Sequence, residues 1–331
     1  MPEVTLIPGD GVGPELAAAT RLVLEHAGTS IVWDEVVAGE EAYRKSGAAI
    51  TAELVASVRR TKAALKGPMG NPGAGYLSPN VDLRAQLGLW CNLRTAIYFE
   101  GARSPFPGTF LVVIRDVTED IGRGVQQMVG EDAGVAIKFI TRASSDRVSR
   151  FAFEYARAHQ YTHVTIPHQA PSLRTTDALF LSTAMAAAKD FPDLSVDDEA
   201  MDGLSTHLTM RPQSYQVLLC PNSYGGILCG LCAGLVGGVG LMPGVNLDGD
   251  GIAVFEAGHG SAPKYKGLNK MNPVGMILSG AMLLEHIGQP EASARVKAAV
   301  SKVIAKHESV TYDLGGTATT TEMAEAIVAA L

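Results

Sequence analysis

From Pro212 to Leu247 the chain carries no Asp, Glu, Lys or Arg, although it holds 34 acidic and 27 basic residues and a formal net charge of −7. An uncharged run of that length is long enough to span a bilayer. It has no aromatic belt and no flanking lysine cluster, and seven glycines fall between Ser223 and Met242, so it reads as a buried helix and not a membrane span. Gly226, Gly230, Gly234 and Gly238 recur every fourth residue. On a helix they form one smooth stripe that another backbone can approach closely, within the subunit or across a dimer. Cysteine is scarce too. Cys91, Cys220, Cys229 and Cys232 are no disulfide framework in 331 residues, which fits a reducing compartment, and the cytoplasm is the expected location. Cys229 and Cys232 form a C-x-x-C with Cys220 and His207 upstream, but the stretch is apolar and small buried residues are the plainer reading than a zinc site. No basic tract suits nucleic acid or an acidic membrane surface. The opening MPEVTLIPGDGVGPE has no basic segment followed by an apolar core, so no secretory signal is expected there.

What is present is alternation. VTLIP, IVWDEVVAG, AALKGP, FLVVIR, HVTIP and QVLLCPN read as strands. ELAAATRLVLEHAG, TAELVASVRRTK, RVSRFAFEYARAH, TDALFLSTAMAAAKDF, MILSGAMLLEHIG and TTTEMAEAIVAAL read as helices. That order predicts an α/β protein with a largely parallel sheet. GDGVGPE is a tight strand-to-helix turn, because the dinucleotide fingerprint would need glycine where Pro14 stands. Arg84 and Arg94 lie in the near-repeated frames LRAQLG and LRTAI, and Arg115 ends the strand LVVIR. Arginines so placed suit planar capture of carboxylates, and equally suit ordinary ion pairs.

IPGDGVGPE, ALKGP, YLSPNVDLR, LWCNLR, VIRDVTED, CPNSYGGIL, AGLVGGVGLMPGVN, FEAGHGSAPKYKG and NPVGMILSGAMLLEHIG follow one another in order. Together they closely resemble the decarboxylating β-hydroxyacid dehydrogenases, the isocitrate and isopropylmalate dehydrogenase family, over nearly the whole chain. Ser78 and Asn80 resemble the isocitrate version of the substrate loop. The resemblance implies a large domain from both chain ends (1–96 and 235–331), a smaller central domain (97–234), an active site between them and an obligate dimer. It implies hydride transfer from a 2-hydroxy acid to NAD or NADP, then decarboxylation, with a divalent metal polarising the hydroxyl. Arg84, Arg94 and Arg115 would clamp carboxylates of a small anionic substrate, and Ser78 and Asn80 would read the group that distinguishes isocitrate. Asn71, His259, Lys264, Tyr265, Asn272 and Tyr312 fall at cofactor-contacting positions. Lys264, where Asp would favour NAD, makes NADP the expected cofactor.

Four positions depart from the family. Gly226 and Gly230 stand where two metal-ligating aspartates belong, leaving Asp202 as the one retained ligand position. Gln169 replaces the catalytic lysine after His168, and Gly122 replaces the tyrosine acid after TEDI. No acidic residue lies between Asp202 and Asp248, and no lysine between Lys138 and Lys189, so neither loss has a local substitute in the sequence. Magnesium, which needs an octahedral oxygen shell, is expected to bind weakly or not at all. The resulting expectation is a family member disabled in the usual reaction, acting as a homodimer or beside an active paralogue. The alternative is an active dehydrogenase on an isocitrate-like or other polyanionic 2-hydroxy acid with altered groups, His168 being the candidate base.

Overall fold

The structure, a computed structural model, describes residues 1–73 and 76–331. The loop expected over NPGAGYLSPN therefore includes two residues, Ala74 and Gly75, outside the described ones. The strands are β1 (Glu3–Ile7), β2 (Val32–Glu35), β3 (Ala63–Lys66), β4 (Cys91–Ile97), β5 (Phe110–Asp116), β6 (Gln126–Val129), β7 (Ala133–Ala136), β8 (His163–His168), β9 (Ser195–Ala200), β10 (Val217–Cys220), β11 (Gly244–Leu247) and β12 (Ala253–Glu256). The helices are α1 (Gly13–His26), α2 (Glu40–Ser46), α3 (Ala52–Thr61), α4 (Pro79–Leu87), α5 (Arg142–Ala158), α6 (Thr176–Ala188), α7 (Met201–Met210), α8 (Asn222–Leu235), α9 (Val274–His286), α10 (Pro290–Lys306) and α11 (Thr320–Ala329). The α/β class is as the alternation predicts.

The chain divides into two compact units. The first holds Met1–Leu89, Ile97–Pro107 and Val236–Leu331; the second holds Trp90–Ala96 and Gly108–Leu235. The sequence reading gives 1–96 and 235–331 to one domain and 97–234 to the other; in the structure Trp90–Ala96 goes with the second unit, Ile97–Pro107 with the first, and the last change falls after Leu235.

In the first unit the strand order is β2-β1-β3-β12-β11, parallel except for β11 against β12. The short strands Val4–Ile7 and Ala63–Lys66 are buried, as strands covered on both faces must be. One side is filled by Ile7, Val36, Leu54, Val58, Leu83 and Val254. On α9, Val274 through Ala281 are all buried, which is why its sequence is apolar all round. The GDGVGPE turn is structural. Gly9 and Gly11 have φ of 76° and 61°, and the Asp10 carboxylate accepts the N–H groups of Glu40 (2.9 Å) and Gly70 (2.8 Å), tying three loops.

In the second unit the order is β4-β5-β10-β8-β9, with β5, β10, β8 and β9 parallel. β6 and β7 form a separate antiparallel hairpin whose eight strand residues are all exposed. The sequence reading passes over this hairpin, since a strand pair with no buried face shows no alternation of apolar and polar residues. It also passes over α10, whose Ala292, Val296, Ala299, Val303 spacing is legible as a helix.

The uncharged run resolves into β10, α8, a break and β11. α8 has 14 residues, about 21 Å, too short for the ~30 Å of a bilayer interior. Among the described residues no helix is long and apolar enough to cross a membrane. Gly237 and Gly238, with φ of 113° and 133°, end it, so Gly238 is not part of the stripe. Within the subunit the stripe meets no neighbouring backbone. Gly226, Gly230 and Gly234 are exposed, and a Cβ at 230 or 234 would meet nothing within 4 Å. The buried face is Gly225, Leu228, Cys232, Ala233 and Leu235. Three exposed helical glycines cost roughly 2–3 kcal/mol relative to alanine, a cost that burial of Leu228 and Leu235, at about 1.5–3 kcal/mol each, offsets. Gly230→Ala is therefore expected to raise the thermal midpoint by about 1–3 °C. Gly225→Ala is expected to lower it, because its Cβ would lie 2.6 Å from the Arg115 Cβ. Scanning calorimetry of the two variants checks the contrast.

Candidate functional site

Arg115 lies one residue from the end of β5, level with Cys220 of β10, so its side chain reaches the first turn of α8. Nε donates to Asn92 Oδ1 at 3.1 Å, and Nη1 to the Asn222 carbonyl at 3.2 Å. A Cβ at Gly226 would lie 2.8 Å from Nη1. The guanidinium thus sits against the bare helix backbone, where a side chain at 226 would begin. Its partners are all neutral, and Nη2 has none among the described residues. Arg94 is buried on β4, two residues beyond Asn92, so both project to the same side of that strand.

The donor set does not fit a divalent metal. Gly226 and Gly230 contribute no oxygen, and Asp202 is exposed in the first turn of α7. Among the described residues no group of three His, Cys, Asp or Glu side chains converges on one point. The cysteines do not compensate. Burial pushes the Cys220 and Cys232 thiols well up, so they stay protonated and inert, as the plainer reading had it.

The vacated proton-transfer positions surround a buried charge cluster. Lys138 Nζ lies 2.5 Å from Asp177 Oδ1, 3.7 Å from Asp120 Oδ1 and 4.6 Å from the centre of the Tyr224 ring. Asp177 Oδ2 accepts the Gln169 N–H and the Tyr224 hydroxyl, both at 2.8 Å. Asp120, at φ 79°, accepts the N–H groups of Ile121 (2.7 Å) and Ser223 (2.8 Å). Burial, then the hydrogen bond to Asp177, push the Tyr224 hydroxyl well above the usual phenol range, so it stays protonated and is a poor acid. Gly122 lies in a short turn (Ile121–Arg123), and a Cβ there would meet nothing within 4 Å. Sequence reasoning missed Lys138, Asp177, Asp120 and Tyr224. The one signal was that Lys138 is the last lysine before the lysine-free stretch.

His168 ends β8. Its Nδ1 accepts the Ala170 N–H at 3.0 Å, which makes Nε2 the protonated nitrogen, donating to Asp198 Oδ2 at 2.9 Å. Both nitrogens are engaged, and the free lone pair on which its candidacy as a base depends is already taken. The imidazole holds the strand end in place.

The remaining candidates belong to the first unit. Asn80 and Arg84 are four residues apart on α4 and share a face. Arg84 donates to Asn246 Oδ1 (2.9 Å) and pairs with Glu256 (3.3 Å), which also holds Lys66 at 2.7 Å. Asn80 Oδ1 is buried without a partner among the described residues, and Ser78 is half-buried. Tyr265 and Tyr312 are in contact, ring centres 6.3 Å apart, with Lys264 Nζ 4.8 Å from the first ring and Lys270 Nζ 4.7 Å from the second. Neither lysine forms an ion pair among the described residues, an arrangement that fits a phosphate. Asn272 bonds inward, donating to Asp313 (3.0 Å) and accepting the Val274 N–H (2.9 Å). Asn71 is exposed, and His259 Nδ1 lies 3.2 Å from the Gly260 carbonyl.

The comparisons with known proteins agree with these motifs. The family model for isocitrate/isopropylmalate dehydrogenase matches residues 3–327. The chain is 40% identical over 324 residues to the Arabidopsis thaliana mitochondrial isocitrate dehydrogenase [NAD] catalytic subunit 5, covering 98% of this chain and 87% of that one. It is 37% identical to the human mitochondrial isocitrate dehydrogenase [NAD] subunit alpha, with 98% and 89% covered. The crystal structure of isocitrate dehydrogenase from Methylococcus capsulatus superposes with a TM-score of 0.96 at 42% identity, covering 100% and 99% of the two chains. The chain belongs to the isocitrate/isopropylmalate dehydrogenase family.

Proposed function

We propose that this chain is a regulatory or repurposed isocitrate dehydrogenase-like protein, defective in metal-dependent oxidative decarboxylation and retaining a carboxylate-binding arginine set. One observation carries the reading: Gly122, Gln169, Gly226 and Gly230 put no titratable atom where the family resemblance places an acid, a base and two metal ligands. Loss of acid–base catalysis alone costs about 10²–10⁴-fold, and loss of metal polarisation adds several kcal/mol. The scaffold around those positions is kept, since Asp120, Lys138 and Asp177 fix the backbone at three of them. The relatives named above are called subunits. Exposed Met128, Val129, Val135 and Ile137 on the hairpin support assembly with a second copy or an active paralogue. Cytoplasm or an organelle matrix fits the four free cysteines; the two named plant and human relatives are mitochondrial.

A second reading, an active dehydrogenase with altered groups, has one observation in its favour. Lys138 is a buried ammonium beside the Gln169 backbone, a better placed proton-transfer candidate than His168. Turnover that persists in chelator, survives His168→Asn and changes its pH profile in Lys138→Arg would establish it.

The purified chain with isocitrate, either nicotinamide cofactor and magnesium or manganese is expected to show no chelator-sensitive change in nicotinamide absorbance. Chelator-sensitive turnover overturns the first reading. The combined variant Gly122→Tyr, Gln169→Lys, Gly226→Asp, Gly230→Asp is expected to gain metal-dependent turnover, because open space surrounds 122 and 230. For the cofactor, the relatives named as NAD enzymes do not favour NADP, whereas Lys264, Lys270, Tyr265 and Tyr312 supply a site for a 2′-phosphate. Exposed lysine–phosphate pairs contribute up to about 1 kcal/mol each. Lys264→Ala combined with Lys270→Ala is therefore expected to weaken NADP binding roughly tenfold and leave NAD binding unchanged, by titration calorimetry.

A further inference from the structure

The disagreement between the donor set and a metal has a positive side. Arg115 is half-buried, its three protein acceptors are neutral, and Nη2 has no partner among the described residues. A guanidinium so placed lacks a counter-charge, and an anion is the ligand that supplies one. Asp116, next in the chain, pairs with Arg147 at 3.6 Å, and Asp120 is taken by the N–H groups of Ile121 and Ser223 and by Lys138. The Nη1 atom lies 2.8 Å from where a Cβ at 226 would be, so a cation already stands against the helix face where the family resemblance puts a metal-ligating carboxylate. A divalent cation brought there would be repelled by that guanidinium and would find no oxygen at 226 or 230.

We propose that this face binds a di- or tricarboxylate directly, without a metal, with the Arg115 guanidinium taking over the charge neutralisation that a metal ion would provide. The inference deepens the reading of a retained carboxylate site and rests on it. It has a chemical corollary. A metal-bound 2-hydroxy acid is read through its hydroxyl and adjacent carboxylate as a chelate, whereas a guanidinium reads carboxylates alone. The hydroxyl then loses its importance for binding.

The test is titration calorimetry of the full chain with isocitrate and with tricarballylate, which has three carboxylates and no hydroxyl, each in chelator and in excess magnesium. Saturable binding of both in chelator, within roughly threefold of each other and not tightened by magnesium, is expected. Arg115→Gln is expected to weaken it roughly tenfold or more. Gly226→Asp leaves Arg115 in place but gives it an internal carboxylate, and is expected to weaken metal-free binding by a similar factor; circular dichroism checks that both variants fold. Binding that needs magnesium, or that discriminates strongly for the hydroxyl, overturns the inference. So does the absence of saturable binding under both conditions. None of these outcomes depends on turnover, so the inference can fail while the loss of the dehydrogenase reaction stands, and the reverse.

Discussion

A buried ammonium needs a carboxylate, and the pairing of Lys138 with Asp177 is the constraint on which the second unit's site depends. Asp177 is spent fully: one oxygen on Lys138, the other on the Gln169 N–H and the Tyr224 hydroxyl. Through those bonds the start of α6 fixes the end of β8 and the start of α8. Asp120 repeats the arrangement on the loop after β5, accepting the Ser223 N–H in a conformation that L-residues seldom adopt. Removing either partner would strand a charge in the interior, an effect on the order of 3–5 kcal/mol. The cluster therefore holds the backbone in place whether or not the neighbouring side chains do chemistry.

That separation between scaffold and function explains the glycines. Gly122 and Gly230 have open space above them and ordinary backbone angles, so neither turn nor packing demands glycine. Gly225, one residue before the altered position, is different: the Arg115 stem lies on it, and only glycine fits. A fold that had merely lost precision would not distinguish these two kinds. On the proposed reading the reactive side chains are the ones replaced, and the residues that shape the site remain.

Much of this was legible in sequence. The α/β class followed from alternation and the tight turn at GDGVGPE from its glycines. What escaped was set by contacts across the fold. What the glycine face of α8 meets was not legible, because a glycine stripe has the same spacing whether it meets a neighbour or open space. His168 looked available, because the Ala170 N–H that occupies its Nδ1 belongs to the backbone and has no sequence signature. The bond from Asn272 to Asp313, forty-one positions away, has no sequence signature either. Lys138 was passed over because its importance comes from Asp177 and Asp120, on separate segments.

The substitutions also make electrostatic sense as a set. Two aspartates and a divalent cation sum to zero charge, and so do two glycines with nothing between them. Arg94 and Arg115 would therefore face the same net charge in a metal-loaded site of the family type and in this one. Losing only the metal would leave two carboxylates near Arg115, which would neutralise it internally and repel an incoming anion. Losing only one aspartate would leave the metal underbound and the balance broken. On the proposed reading, removing both acids would abolish the metal site and preserve the attraction for carboxylates in the same step, and the Gly226 change would add room, since the guanidinium lies against the helix where that acid would have stood. Selection for anion binding without hydride transfer would pass through this pair of changes, and random decay of an unused site would have no reason to keep Arg115 hydrogen-bonded, neutral-partnered and open at Nη2.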